Sequence, residues 1–435
     1  MFKKTWLVVR AVGNIGSFIG YLISRSARLR LRRIRHYISS PTSSINTHHE
    51  QRNIVVVGAS MAGYHAAKSI AESLLPSSPY QVIVIEPHDH FHFTWVLPRF
   101  CVVEGHEHKA FIPYGPYLRH VSENALRWVQ GRAVRITKDN VHLSSGEEIP
   151  YEFLVVATGA GATDALPSRV DSDNKGEGIT KLQEIQTKIR GANNLVVVGG
   201  GAAGVELATD TKSHYPDKTV VLVHSRDNVM HRFGPELQKA AMGGLRDLGI
   251  EVITGDRLIR EDKERGVVIL KSGKEIECDF LVNCAGQRPN STLISELSPS
   301  SMTPSGHILV KPTMQIDNES LLNVYVCGDV AETNTPNPNS RTARVQATVV
   351  ADNVTLAIDG HKPTNKYKIN WLEGLIKLTL GLDKSVTYVG DFSGSELLFP
   401  AKEKNLDLMS GGAWKHMGAT PFQDDTESLQ RFLAK

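Results

Sequence analysis

The chain has 435 residues, 41% hydrophobic and 22% charged, a globular composition for two or three domains that excludes a disordered or fibrous protein. Its net charge of +3 is unevenly held: Lys3, Lys4, Arg10, Arg25, Arg28, Arg30, Arg32, Arg33 and Arg35 precede His49 with no acid among them, leaving 40 basic against 46 acidic residues beyond. The body is therefore mildly acidic, which argues against nucleic acid as a partner.

At the N-terminus, Trp6–Ile23 is an apolar stretch of 18 residues broken by Arg10, and six arginines follow between Arg25 and Arg35. The length is marginal for a membrane span, and Gly16 with Gly20 forms a small-residue pair suited to helix packing in lipid. An Arg-rich, acid-free segment equally fits a mitochondrial presequence. Residues 1–52 are expected to be a membrane anchor or targeting segment ending in the Ser/Thr/His-rich linker Ser39–Gln51. The expected location is a membrane, at the mitochondrion or on the cytosolic face of another compartment.

Ile54–Val57 is a short apolar run of the kind a buried parallel strand needs. It leads into Gly58-Ala-Ser60-Met-Ala-Gly63 and an Ala-rich helical stretch. Gly58 permits the strand-to-helix turn, Gly63 lets helix and sheet approach, and the helix N-terminus offers N–H groups to a pyrophosphate. Ser60 stands where a second glycine is usual. The next strand, Gln81–Ile85, ends at Glu86, whose carboxylate can accept from ribose hydroxyls.

A second copy begins at Leu195 with Gly199, Gly201 and Gly204 all present, followed by a helix over Ala202–His214 and a strand over Thr219–Val223. That strand runs into His224-Ser225-Arg226. No acid stands there to repel a 2′-phosphate, so NADH and NADPH are both admissible, with Arg226 as a candidate phosphate contact. Glu86 suits FAD, whose adenosine carries a free 2′-hydroxyl. Two further strands end in Thr158-Gly159 and in Gly328-Asp329, and Asp329 at such an edge can accept from the polyhydroxyl chain of a flavin. The four cysteines, Cys101, Cys278, Cys284 and Cys327, form neither a paired framework nor a metal-ligand pattern, and no metal is expected.

These elements, together with GGGAAGVELATDTKSHYPDKTVVLVHS (199–225), LVNCAGQRPNS (281–291), NVYVCGDVAET (323–333) and GGAWKHMGATP (411–421), resemble the pyridine-nucleotide–disulfide oxidoreductase superfamily. More narrowly, the chain is similar to its apoptosis-inducing-factor-like, ferroptosis-suppressor branch, and FHFTWVLPRFCVVEGHEHKAFIPY (91–114) looks most like fungal members. The resemblance implies that Gly58, Ser60, Gly63 and Glu86 hold the adenosine diphosphate of FAD, that Val134 meets the adenine through its backbone, and that Asp329 binds the ribityl chain. It places Arg99 and Lys109 near the flavin, where Lys109 would stabilise charge developing on the reduced ring. It assigns Gly199, Gly201, Gly204 and Glu206 to the nicotinamide dinucleotide. Two departures bear on chemistry. Cys101 lacks the partner of a Cys-x4-Cys dithiol, so electrons must leave directly from the flavin. Pro338-Asn-Ser-Arg341-Thr-Ala-Arg344 replaces a segment that carries a lysine in the ferroptosis-suppressor type, which leaves the acceptor open.

The expected fold is α/β, with an NAD(P)-binding Rossmann-like domain (189–313) inserted into an FAD-binding one (53–188 and 314–359) and a small α+β domain at 360–435, where Ile376–Val389 reads as a hairpin. The expected activity passes electrons from NADH or NADPH through FAD to a quinone or other small acceptor at a membrane. A pathway enzyme acting on a soluble metabolite and a redox-sensing or death-signalling flavoprotein remain open alternatives, as does a homodimer.

Overall fold

The computed structural model describes residues 2–39, 51–162, 167–425 and 427–433. Its first element is one continuous helix, α1 (Phe2–Ser39). No helix among the described residues is long and apolar enough to cross a membrane. Trp6–Ile23 carries Arg10, Asn14 and Ser17 among its apolar residues. Trp6, Val9, Val12, Ile19, Ile23, Leu31, Ile34 and Ile38 are all exposed, and at the pitch of an α-helix they share an arc of about 140°. The opposite face docks on the body. Arg10 pairs with Asp391 at 2.7 Å, Arg25 with Asp352 at 2.6 Å, and Arg32 with Asp359, while the Tyr21 hydroxyl donates to Asp352 at 2.7 Å. Most of the expected linker, residues 40–50, lies outside the described residues.

β1 (Arg52–Val57) is buried from Ile54 onward, as branched residues in a central parallel strand should be. The chain continues through α2 (Met61–Ser73) to β2 (Tyr80–Glu86) and later β3 (Leu126–Gln130). A small antiparallel sheet of β4 (Ala133–Ile136), β5 (Asn140–Leu143) and β6 (Glu148–Pro150) comes next, followed by β7 (Phe153–Val156). Helix α3 (Lys175–Gly191), capped by the Asn174 side chain, leads to a second unit. Its parallel sheet comprises β8 (Asn194–Val198), β9 (Thr219–His224), β10 (Glu251–Thr254) and β11 (Phe280–Asn283) in the order β10-β9-β8-β11. Helices α4 (Ala202–His214) and α5 (Pro235–Asp247) make its crossovers. The chain then returns to the first sheet through β12 (Val324–Val326), giving the parallel order β12-β7-β1-β2-β3, and α6 (Ser340–Ile358) packs along α2.

Beyond α6 the chain forms an antiparallel sheet of β13 (Ile376–Thr379), β14 (Lys384–Gly390) and β15 (Glu396–Lys402), then the short α7 (Ser410–His416). The first two strands are the hairpin legible in the sequence, paired from Ile376 opposite Tyr388 to Thr379 opposite Ser385. In the two parallel sheets, Val57 lies opposite Ile85 and Val198 opposite Val223. The second strands thus end one residue later at equivalent places, Glu86 and His224.

Candidate functional site

Each parallel sheet carries a glycine turn at the carboxyl end of its first strand. Gly58 and Gly199 adopt φ of +92° and +115°, a conformation that side chains disfavour. A Cβ on Gly63 would lie 1.8 Å from the Gly58 carbonyl oxygen, and one on Gly204 would lie 1.8 Å from that of Gly199. Only glycine allows the helix to start so close to the strand. Ser60 and Gly201 are the exposed N-caps of α2 and α4, and neither supplies a side-chain cap, so the first N–H groups of both helices remain available to an anion. A Cβ on Gly201 would meet nothing within 4 Å, which is the open approach a pyrophosphate needs.

At the first turn the buried Glu86 carboxylate accepts from the Ala59 N–H at 2.5 Å and from the His88 N–H at 3.0 Å, and it also pairs with the His88 ring. Burial alone would lower the His88 pKa, but Glu86 outweighs it and raises it. Val134 sits close by in β4, since the Gly131 N–H donates to the Glu86 carbonyl at 3.0 Å. The β4–β5 register skips Val134, between Ala133 opposite Leu143 and Arg135 opposite His142, so the ladder leaves its backbone aside. On the other flank, a Cβ on Gly328 would lie 3.0 Å from the Ala62 Cβ, which sets the Gly328-Asp329 turn against the first turn of α2. The half-buried Asp329 lies 3.5 Å from Arg169. The structure thus gathers Gly58, Ser60, Gly63, Glu86 and Asp329 at one sheet edge, and these residues fit FAD: an anion-ready helix start, a ribose acceptor and a carboxylate for a polyhydroxyl chain.

Arg99, Lys109 and Glu206 are each held by partners within the chain. Arg99 is 1% exposed; its Nε donates to Asp210 on α4 at 2.6 Å and its Nη2 to the Gly381 carbonyl at 3.1 Å, tying three parts of the chain together. Glu206, four residues before Asp210, accepts from the Thr379 N–H and hydroxyl at 3.1 and 3.2 Å. Burial, aided by Asp210 and opposed by Thr379 and Arg99, pushes the Glu206 pKa up to about 8. Burial likewise raises Asp210 to about 6 against the pull of Arg99. A small cavity lined by Phe93, Trp95, Glu206, Lys377, Thr379 and Met409 opens beside this pair. Lys109 donates to Asp407 at 2.6 Å and stands 5.0 Å from the centre of the Phe422 ring. Burial of Asp407 would raise its pKa, but hydrogen bonds from Lys109 and His106 hold it below the ordinary value. Arg341 reaches the Leu375 carbonyl, and Arg344 meets His416 at 2.7 Å.

Sequence reasoning gave no part to Asp210, Thr379, Asp407 or the His224 ring. Of these Asp210 had a local signal in its helical spacing of four from Glu206, and His224 one in its place at the strand end. All four cysteines are free, and burial raises the pKa of Cys101 and of Cys284, the latter to about 12, so these thiols stay protonated. Among the described residues no group of three His, Cys, Asp or Glu is arranged to hold a metal.

Comparison with known proteins agrees with this geometry. A family model described as pyridine nucleotide-disulphide oxidoreductase matches residues 52–352. The chain belongs to that family. It is 32% identical over 400 residues to Fe-regulated protein 8 of Mycosarcoma maydis, covering 85% of this chain and 96% of that one. It is 26% identical to the human ferroptosis suppressor protein 1 over 380 residues, covering 85% and 96%. Among solved structures, the sulfide:quinone oxidoreductase of Aquifex aeolicus shares the fold with a TM-score of 0.66 at 17% identity, over 84% of this chain and 90% of that one. The chain is thus an FAD-dependent oxidoreductase that uses NAD(P)H as co-substrate.

Proposed function

We propose that this chain is an NAD(P)H:quinone reductase working at a membrane surface, with its FAD domain formed by 53–188 and 314–359, its NAD(P) domain by 189–313 and a C-terminal domain at 360–435. The observation that carries the proposal is the union of two open nucleotide cradles with a docked helix whose apolar face points outward. Eight exposed apolar side chains on one stripe suit insertion into a lipid interface, and the acid-free helix suits anionic headgroups. The fold is shared with a protein described as a sulfide:quinone oxidoreductase, which supports a quinone as the acceptor.

In this reading Gly58, Ser60, Gly63 and Glu86 hold the adenosine diphosphate of FAD, Val134 offers its backbone to the adenine, and Asp329 accepts from the ribityl chain. Gly199, Gly201, Gly204 and Arg226 hold the nicotinamide dinucleotide. FAD, when bound, supplies the electron-carrying chemistry between nicotinamide and acceptor. Arg99 and Lys109 act through the partners that hold them, Asp210 and Asp407, and so fix the domains that bring the two nucleotides together. Glu206 holds a proton at neutral pH beside the small cavity.

The test measures NAD(P)H oxidation with a soluble short-tail quinone, and flotation with anionic vesicles, for the full chain and for a form lacking residues 1–40. The full chain is expected to float and to reduce the quinone, and the shortened form to keep FAD and soluble-quinone turnover but lose flotation. Absence of quinone reduction in both forms would refute the acceptor assignment. Flotation of the shortened form in high salt would refute α1 as the anchor.

A further inference from the structure

The two cradles are alike up to the last residue of their second strands. In the first, the Glu86 carboxylate accepts the Ala59 N–H at 2.5 Å; in the second, the Gly200 N–H donates to Nδ1 of His224 at 3.0 Å. Ala59 and Gly200 each follow the first glycine of their motif, so an imidazole fills the seat of a carboxylate. A carboxylate there accepts from the free ribose hydroxyls and repels a phosphate. An imidazole that engages Nδ1 as an acceptor carries its proton on Nε2, and there it is a donor. His224 is 7% exposed, and its Nε2 makes no well-formed hydrogen bond, the nearby Asn228 backbone only favouring the charged ring.

The surroundings of this ring are basic. The His231 ring lies 5.3 Å away, centre to centre. Burial first, then His231 and Arg226, lower the His224 pKa, which records how close those two groups are. Ser225, Arg226, His231 and Arg232 are exposed around the strand end. The carboxylate of this loop, Asp227, faces the next strand's turn, 3.8 Å from where a Cβ on Gly255 would stand.

We infer that the second cradle selects NADPH over NADH, with the 2′-phosphate taken by Arg226 and by Nε2 of His224 and flanked by His231. The inference rests on assigning that cradle to the nicotinamide nucleotide, and the two are separated by measuring binding without turnover. Calorimetry on the FAD-loaded full chain compares 2′,5′-ADP with 5′-AMP. A preference for 2′,5′-ADP of at least about 10-fold is expected, the scale of one hydrogen bond to a charged group. Arg226→Ala and His224→Glu are each expected to bring that ratio close to one, and the NADPH-to-NADH ratio of kcat/KM to fall with it. Flavin absorbance of each variant verifies that it has folded. Equal affinities, a preference for 5′-AMP, or a ratio that both variants leave unchanged would overturn the inference alone. Failure of both nucleotides to bind would overturn the cradle's assignment with it.

Discussion

The two nucleotide cradles share a backbone and differ in nearly every side chain that meets a ligand or a neighbour. Both need glycine at the third motif position for the same reason, a carbonyl oxygen 1.8 Å from where a Cβ would stand. At the helix start one has Ser60 and the other Gly201; at the strand end one has Glu86 and the other His224. Two residues after the last glycine, α2 carries the half-buried His65 and α4 the buried Glu206. His65 bonds to the Tyr117 and Thr348 hydroxyls at 2.8 and 3.1 Å, whereas Glu206 bonds to Thr379. Glycines set the turn, while the strand ends differ in offering a carboxylate or an imidazole to it and the helices in the partners they hold.

Two glycines of the second cradle separate its structural from its binding demands, and they carry the largest expected effects. Gly204→Val drives a side chain into the Gly199 carbonyl and is expected to cost well over about 3 kcal/mol, read as a lost or strongly lowered urea midpoint. Gly201→Val has room in the protein itself, so it should fold and keep FAD. It should lose NAD(P)H-driven flavin reduction by about 100-fold, because the side chain fills the pyrophosphate approach, an effect near 2.7 kcal/mol. Equal stability of the two variants would show that the close contact at Gly204 is relieved at little cost.

In the first cradle, Asp329→Ala removes a charged acceptor and leaves Arg169 without its 3.5 Å partner. A loss of about 1.5–3 kcal/mol in FAD binding is expected, seen as a lower flavin-to-protein absorbance ratio after purification. Gly201→Val should not change that ratio. If both substitutions acted alike on FAD and on nicotinamide-driven reduction, the assignment of one nucleotide to each cradle would be wrong.

What was legible in the sequence is what is local. The α/β class, both turns, the helix over Ala202–His214 and the hairpin after Ile376 each follow from a few adjacent residues, and the structure shows them. What was not legible joins distant residues. Arg99 meets Asp210 from 111 positions away, Lys109 meets Asp407 from 298 and Arg10 meets Asp391 from 381. A basic residue beside an apolar run gives no sign of its partner at such separations. Along the N-terminal helix, likewise, the exposed apolar side chains from Trp6 to Ile38 share one stripe that only the helical pitch reveals.

The smallest effect, and the sharpest test of how the cradles differ, lies in the titratable groups two residues after each last glycine. Burial, reinforced by nearby cations, lowers the His65 pKa from 6.5 to about 3, while burial raises that of Glu206 from 4.5 to about 8. Both are therefore neutral near pH 7, but their linkage to folding has opposite sign. His65 has a lowered folded pKa, so its contribution is complete above pH 6.5 and is lost as pH falls toward 3. Glu206 has a raised folded pKa, so its contribution is complete below pH 4.5 and is lost as pH rises through about 8. Glu206→Gln keeps a carbonyl oxygen to accept from Thr379 and cannot ionise. Its melting temperature is expected to match the parent near pH 5 and to exceed it at pH 8.5, by about 2–4 °C for each kcal/mol recovered. The acid limb, to which His65 and the lowered carboxyl of Asp407 both contribute, should not move. A variant whose melting curve runs parallel to the parent's from pH 5 to 8.5 would mean that Glu206 ionises freely in the folded protein, and that the contact between α4 and Thr379 leaves it open to water.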